Sequence, residues 1–407
     1  MTTTQPIVFN PLDPAFRADP YPIYRRLLAE EPVHITMLGV PAFSRHADCI
    51  QILKDHKRFS SDDRKSATYQ SFESLPDLEG VSDLDRPFLF FDPPDHTRLR
   101  RLVNLAFSAK AVEALRPRVQ EIVDELLDAV ADKGEMDAIA ALAYPLPVAV
   151  ICEMLGVPKE DQSQFSEWSE VLVQSLDPDL LPPSKEVLER RAWAIRESRE
   201  YFRQLVAKRR QSLGNDILSG LIAAEDEGDK LTEGELLSTC SLLLVAGHET
   251  TVNLIGNGIY RLLQHPDQLA KFKADWDLAP KVVEEVLRYD PPVQFDGRVC
   301  IEAAEVGGYT VQPGQFTLLL LGAANRDPVV FPDDPDTFDI TRDANGHIAF
   351  GYGIHFCLGA PLARIEGQIA LRTLFQRFPN LHRTTEGFPA YRPQITLRGI
   401  SSLPVAW

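Results

Sequence analysis

The sequence predicts a mainly α protein with small β-sheets, and three observations carry that expectation. Apolar residues recur at helical spacing over most of the 407 residues, and stretches with strand-like alternation are few. One apolar helical run past the middle of the chain is long enough to cross a whole domain. With 44% hydrophobic and 25% charged residues, the composition is that of a globular protein with a large core. Length alone would allow two or three domains, but no Ser/Gly-rich linker, charge block or internal repeat marks a boundary. Residues 1–407 are therefore expected to form one domain.

Helices are expected near 21–30, 95–106, 109–132, 141–155, 184–212, 232–264, 279–289 and 358–377. Strands are expected at 34–44, at 298–321 with a turn at Gly307 and Gly308, and at 393–406. The stretch 61–94 mixes charges, Gly and Pro with Phe88, Leu89, Phe90 and Phe91, and reads as a substrate loop. Pro328, Pro332 and Pro335 forbid regular structure over 325–348, which must be a fixed irregular segment. The helix 232–264 opens with Thr232 and Glu235 at capping-box spacing and stops before Pro266. Leu236, Leu237, Leu242, Leu243, Leu244, Val245, Leu254 and Ile255 cover nearly every side of it, so it must be buried on most faces.

Residues 1–20 contain no apolar run, so neither signal peptide nor membrane anchor is expected, and the protein should be cytoplasmic. Cys49, Cys152, Cys240, Cys300 and Cys357 show neither CxxC nor zinc-type spacing, which argues against a disulfide framework and a structural metal site. Four of the five read as small apolar fillers. A formal net charge of -17 repels nucleic acid and anionic membranes.

Cys357 stands apart. It lies in Phe350-Gly351-Tyr352-Gly353-Ile354-His355-Phe356-Cys357-Leu358-Gly359, followed by Ala360 and Pro361. Gly351, Gly353 and Gly359 permit tight turns and close backbone approach to a flat cofactor, and Pro361 suits the first turn of a following helix. The sulfur then sits at a helix N-terminus, where exposed N–H groups and the macrodipole favour a thiolate. The run matches the haem-binding loop of the cytochrome P450 family, Phe-Gly-x-Gly-x-His-x-Cys-x-Gly, at every specified position. That resemblance implies a cytochrome P450 fold with haem b (iron protoporphyrin IX) between the long central helix and the Cys-loop helix. It also implies that Cys357 is the iron ligand, pushing electron density that favours O–O cleavage. Phe350 would pack near the sulfur and His355 would bond a haem propionate.

In the centre of the long helix stands Ala246-Gly247-His248-Glu249-Thr250-Thr251, small and polar groups inside an apolar rod. Glycine there costs about 1 kcal/mol relative to alanine, and a buried acid beside a hydroxyl costs more unless hydrogen-bonded. Thr250 bonding back to the preceding turn, with Glu249 paired to a nearby cation, would be a purely structural explanation. The run also resembles the family's oxygen-activation motif, Ala/Gly-Gly-x-Asp/Glu-Thr. By that resemblance Ala246 and Gly247 lie against the distal haem face and leave space for dioxygen. Thr250 orders water during oxygen activation, and Glu249 relays protons from solvent.

Glu285 and Arg288 share one helix face and fall on the family's Glu-x-x-Arg motif. A further arginine often completes that network; Thr337 stands where it would precede Phe338, which leaves Arg342 as the nominee. His96 and Arg100, one turn apart, resemble the propionate-binding helix, and Arg298 the strand position serving the other propionate. Family position places Phe88, Phe90, Leu243, Ala246, Val293, Phe295, Leu397 and the surroundings of Trp168 and Leu172 in an apolar substrate pocket.

The implied reaction is oxygen insertion from O2 into a small apolar substrate, with electrons from NAD(P)H. No flavin or nicotinamide fingerprint is visible, so a separate ferredoxin and ferredoxin reductase are implied. Arg98, Arg101, Arg364 and Arg372 could form a basic dock for the donor, or be ordinary surface arginines. The enzyme is expected to act as a monomer. Two competing readings are peroxide-driven oxidation or ring coupling on the same fold, and a haem gas sensor without turnover.

Overall fold

The long helix expected past the middle of the chain spans Glu233–Gln264 and forms the capping box: the Thr232 hydroxyl accepts from the Glu235 N–H, and the Glu235 carboxylate from the Thr232 N–H. In this computed structural model, which describes residues 6–71, 86–107, 109–174, 177, 183–214, 216–226 and 231–407, most of that helix is buried. Helices Pro145–Met154, Gln162–Gln174, Lys185–Arg210, Ala279–Tyr289 and Ala360–Arg377 pack around it. Its first turn is tied to helix Asp95–Ala106, because Glu235 also accepts from the Arg98 guanidinium. Among the described residues no helix is long and apolar enough to cross a membrane.

Helices Tyr21–Glu30, Asp95–Ala106 and Ala279–Tyr289 end where periodicity places their ends. The single helix expected over 109–132 is instead two, Ala109–Glu113 and Arg116–Asp128, because Pro117 starts a new first turn, where its missing N–H does no harm. Pro266 likewise starts helix Pro266–Ala274 directly after the central one. Helices His46–Lys54, Gln162–Gln174 and Ile217–Asp226 were not anticipated.

One sheet has five strands in the spatial order Val33–Ile35, Pro41–Phe43, Phe316–Leu320, Phe295–Cys300 and Phe59–Ser60. Pro41–Phe43 and Phe316–Leu320 run parallel, and the other neighbours antiparallel. The run 34–44 is thus a hairpin, and 298–321 contains a second one, turning at Gly307 and Gly308 with φ +57° and +83°. Of 393–406 only Pro404–Ala406 is a strand; before it lie the isolated bridges Val293 to Leu397 and Tyr391 to Ile400. Residues 325–348 contain neither helix nor strand. Phe88–Phe90 form a 3-10 turn, while 72–85 of the expected substrate loop lie outside the described residues.

Glu249, Asn253, Asn257 and Arg261 recur at i+4 spacing, so one face of the central helix is polar although buried. The segment following Tyr391 covers that face. Asn257 Nδ2 donates to the carbonyls of Asp290 and Arg398 at 3.1 and 3.2 Å. Asp290 accepts from Arg261 at 2.8 Å, Arg398 at 2.7 Å and the Tyr21 hydroxyl at 2.5 Å. Burial alone would raise the Asp290 pKa, but the two guanidiniums and the hydroxyl hold it well below the usual carboxylate range.

Glu366, on helix Ala360–Arg377, is 1% exposed, and neither carboxyl oxygen has a hydrogen-bond partner. Burial pushes its pKa well above the ordinary 4.5. Above that value the unfolded chain gives up a proton that the folded chain keeps, so this group's contribution to stability falls as pH rises. Glu366→Gln should therefore gain stability over wild type as pH rises from 5 toward neutrality, by up to about 1.4 kcal/mol per pH unit below the folded pKa. Urea unfolding at several pH values measures this; a constant difference between the two proteins would contradict it.

Candidate active site

The Cys357 loop is shaped by its glycines. Gly351 and Gly353 have φ of +69° and +74°, and a Cβ on Gly353 would stand 2.5 Å from the Leu53 carbonyl oxygen, so no larger residue fits. The Cys357 N–H closes the loop by donating to the Phe350 carbonyl at 2.9 Å. Helix Ala360–Arg377 begins three residues after Cys357, with Pro361 in its first turn. Burial pushes the Cys357 thiol pKa up, while the Gly359 N–H, Arg100, the Ala360 N–H and Arg364 pull it down. The helix N-terminus acts on the sulfur as expected but does not outweigh burial; a bound metal cation would, since coordination deprotonates a thiol. Beside the loop, the Arg364 guanidinium lies 4.6 Å from the Phe350 ring centre and forms a bidentate pair with Glu284 at 2.6 and 2.8 Å.

A cluster of nitrogen-bearing side chains adjoins the loop. His96 is 2% exposed, and neither of its ring nitrogens has a hydrogen-bond partner. Its ring centre lies 4.0 Å from that of His355. Burial, with Arg100 next, lowers the His96 pKa to about 4; burial followed by Arg298, His96 and Arg100 lowers that of His355 to about 2. Arg100 donates to the Phe356 carbonyl at 2.5 Å, and Arg298 to the Asp296 carboxylate at 2.6 Å. Buried ring nitrogens without partners beside two guanidiniums suit anionic oxygen acceptors.

At the middle of the central helix Ala246 is exposed and Thr250 half-buried, although Leu243, Leu244, Val245, His248 and Glu249 around them are buried. The Thr250 hydroxyl donates to the Ala246 carbonyl at 2.9 Å, and Thr251 to that of Gly247 at 3.3 Å. Glu249 is paired with Arg392 from the C-terminal segment. Both structural explanations considered for this run are thus realised, and Arg392 is the cation that no sequence signal identified. Gly247 differs from expectation: a Cβ there would meet Ile151 at 3.1 Å, so the visible reason for glycine is close approach of helix Pro145–Met154.

Val293 and Leu397 are brought together with Val245 of the central helix and Leu172 and Val173 of helix Gln162–Gln174. Val173 and Val245 join this apolar group without having been nominated. Phe295 does not join it. Its ring packs into the N-terminal core against Phe9 at 5.8 Å and Tyr24 at 6.5 Å. Trp168 turns instead toward Phe165 and Tyr201, wedged between two helices. Phe88 and Leu243 lie in the main core, and Phe90 sits under the Arg86 guanidinium at 5.1 Å.

Residues 42–394 match the sequence pattern of the family described as Cytochrome P450. The chain is a cytochrome P450. It is 43% identical to the cytochrome P450 monooxygenase PikC of Streptomyces venezuelae, with all of this chain and 96% of that protein aligned. It is also 43% identical to 6-deoxyerythronolide B hydroxylase of Saccharopolyspora erythraea, over 96% of each. The crystal structure of CYP164A2 from Mycobacterium smegmatis superposes with a TM-score of 0.89 at 46% identity, covering 98% of each chain. This P450 is accordingly an oxidoreductase of the monooxygenase class whose cofactor is haem b. The residues present fit that group: one thiol on a glycine loop for the iron, and unpartnered nitrogens beside two arginines for its two carboxylates.

The Glu285 and Arg288 side chains of this P450 are both 0% exposed and joined by a bidentate pair at 2.6 and 2.7 Å. Arg288 also donates to the carbonyls of Asn325, Pro335 and Thr337, and Glu285 accepts from the Asp339 N–H at 2.8 Å. The pair thereby pins the irregular segment 325–348. Arg342 Nε stands 3.8 Å from Glu285, where the third member was nominated. The basic dock needs correction. Arg98 is committed to Glu235 and Arg364 to Glu284, so their charges are neutralised locally; Arg372 is exposed. Glu285→Ala or Arg288→Ala leaves a buried charge unpaired and should cost roughly 3 to 5 kcal/mol, with haem content falling in step. Chemical denaturation and the haem-to-protein absorbance ratio of the purified variants test this, and wild-type values for both would refute it.

Proposed function

We propose that this P450 inserts one oxygen atom of O2 into a small apolar substrate. The other atom leaves as water, with two electrons drawn from NAD(P)H through a separate ferredoxin and ferredoxin reductase, and two protons. The observation that carries the proposal is the Cys357 loop beside the unpartnered nitrogens of His96: a thiol at a helix start and a cluster of donors suited to carboxylates, side by side. Bound haem supplies the redox-active iron at which dioxygen is reduced. Cys357 holds that iron, Phe350 and Gly359 flank the sulfur, and His96, Arg100, Arg298 and His355 hold the propionates.

On the central helix, Ala246 provides a small surface beside the cofactor, Thr250 orders water and Glu249 delivers protons. Releasing Thr250 from the Ala246 carbonyl makes its hydroxyl available to water. Val245, Val173, Leu172, Val293 and Leu397 form the apolar wall of the substrate pocket. The whole chain acts as one domain, as a monomer, in the cytoplasm. A relative named as a hydroxylase, 43% identical over almost its full length, favours hydroxylation over peroxide-driven coupling.

Cys357→Ala should abolish the thiolate-type carbon monoxide difference spectrum of the reduced protein while the fold survives by circular dichroism. An unchanged spectrum would remove the basis of the assignment. Thr250→Ala should retain haem and lower product formed per NAD(P)H consumed by about tenfold, the electrons appearing as hydrogen peroxide. Unaltered yield per reductant would show that the hydroxyl has no part in oxygen chemistry.

A further inference from the structure

His248, between the oxygen-facing residues and Glu249, is taken up by neither the haem nor the substrate reading. It is 2% exposed, and both ring nitrogens are engaged. Nδ1 lies 2.7 Å from the Leu244 carbonyl, which can only accept, so Nδ1 carries the proton. Burial lowers the ring's pKa, so the imidazole is neutral and Nε2 presents a lone pair. That lone pair accepts from the Ser169 hydroxyl at 2.8 Å. Glu249 Oε2 stands 3.7 Å from the same nitrogen, too far for a hydrogen bond. The Ser169 hydrogen therefore shields a lone pair that would otherwise confront the carboxylate.

Ser169 lies on helix Gln162–Gln174, and Leu172 and Val173, three and four residues on, share its face. Those two residues belong to the apolar group with Val245, Val293 and Leu397. One helix face thus carries a pocket wall and a polar anchor onto the turn that holds Glu249. On the other side Glu249 is gripped by Arg392, on the segment that carries Leu397. One wall of the apolar group thus bonds Glu249 itself, and the other bonds its neighbour His248.

We propose that Ser169 and His248 are positioning residues: their hydrogen bond sets the register of the pocket-wall helix against Glu249, so that the acid is aligned for proton delivery only while that wall is in place. The proposal rests on the proton-delivering role of Glu249 given above. Loss of the Ser169 hydroxyl leaves a buried lone pair facing a carboxylate. Glu249 Oε2 must then turn away from the ring, or the ring must take up a proton and bind the carboxylate; either takes Glu249 out of line.

The test uses the holoenzyme with Ser169→Ala, Ser169→Thr and Glu249→Gln. Hydrogen–deuterium exchange read by mass spectrometry should be about fivefold faster in Ser169→Ala, both in 162–174 and in 244–252, and near wild type in Ser169→Thr, which keeps the hydroxyl. Oxygen consumption driven by NADPH with spinach ferredoxin and its reductase, compared in H2O and D2O, should show a changed solvent isotope effect in Ser169→Ala that Ser169→Thr restores. Faster exchange confined to 162–174, or an isotope effect equal to wild type in Ser169→Ala, would reduce the contact to packing and overturn the proposal. Glu249→Gln separates the two ideas: if it leaves the isotope effect unchanged, the proton-delivering role of Glu249 fails, whatever Ser169→Ala does.

Discussion

The central helix is buried along most of its length, and the charged side chains Glu235, Glu249 and Arg261 on it find their partners inside the protein. Burying an unpaired charge costs several kcal/mol, so the partners dictate which segments may lie beside it. Glu235 draws in helix Asp95–Ala106 through Arg98, Glu249 draws in Arg392, and Arg261 meets the Asp290 that Arg398 and Tyr21 also contact. The N-terminal region, the helix ending at Tyr289 and the segment after Tyr391 all converge on one polar stripe for this reason. Apolar packing fills the space between them but does not choose among them.

The cluster beside the Cys357 loop poses the opposite electrostatic problem. Two guanidiniums and two imidazoles are gathered beside the Cys357 loop, where Asp296 pairs with Arg298, and the imidazoles respond by staying neutral. Such a cluster is costly for a protein alone and sensible for one that folds around a dianionic cofactor. The Cys357 thiol follows the same logic, held protonated by burial yet surrounded by groups that favour its anion. On the proposed reading, cofactor and protein each relieve a charge imbalance in the other.

Much of this was legible in the sequence because it rests on local rules. The capping box at Thr232, the glycine loop before Cys357 and the Glu285 and Arg288 pair are each fixed by residues a few positions apart. What the sequence hid depends on long-range partners. Arg392 lies 143 residues from Glu249, and nothing in its surroundings marks it as the acid's counter-ion. The exposure of arginines was misjudged for the same reason: Arg98 and Arg364 read as surface charge until their glutamates are found. Phe295 shows a different failure. A strand sends successive side chains to opposite faces, and family position alone did not reveal that its ring enters the N-terminal core. Pro361 was read as a helix start, but Pro266 was read as a stop and Pro117 passed over, whereas both begin helices.

Arg398 bonds to Asp290 and to the carbonyls of Arg17 and Ala18, the latter 380 residues upstream. A ribosome making this chain must therefore deliver nearly four hundred residues before the carbonyls of Arg17 and Ala18 meet this partner. Until then Asp290 and Glu249 lack Arg398 and Arg392, so the early part of the protein must wait, incompletely packed, for the late part. The interval between synthesis of the central helix and arrival of its last counter-ion is a period when water can reach the interior.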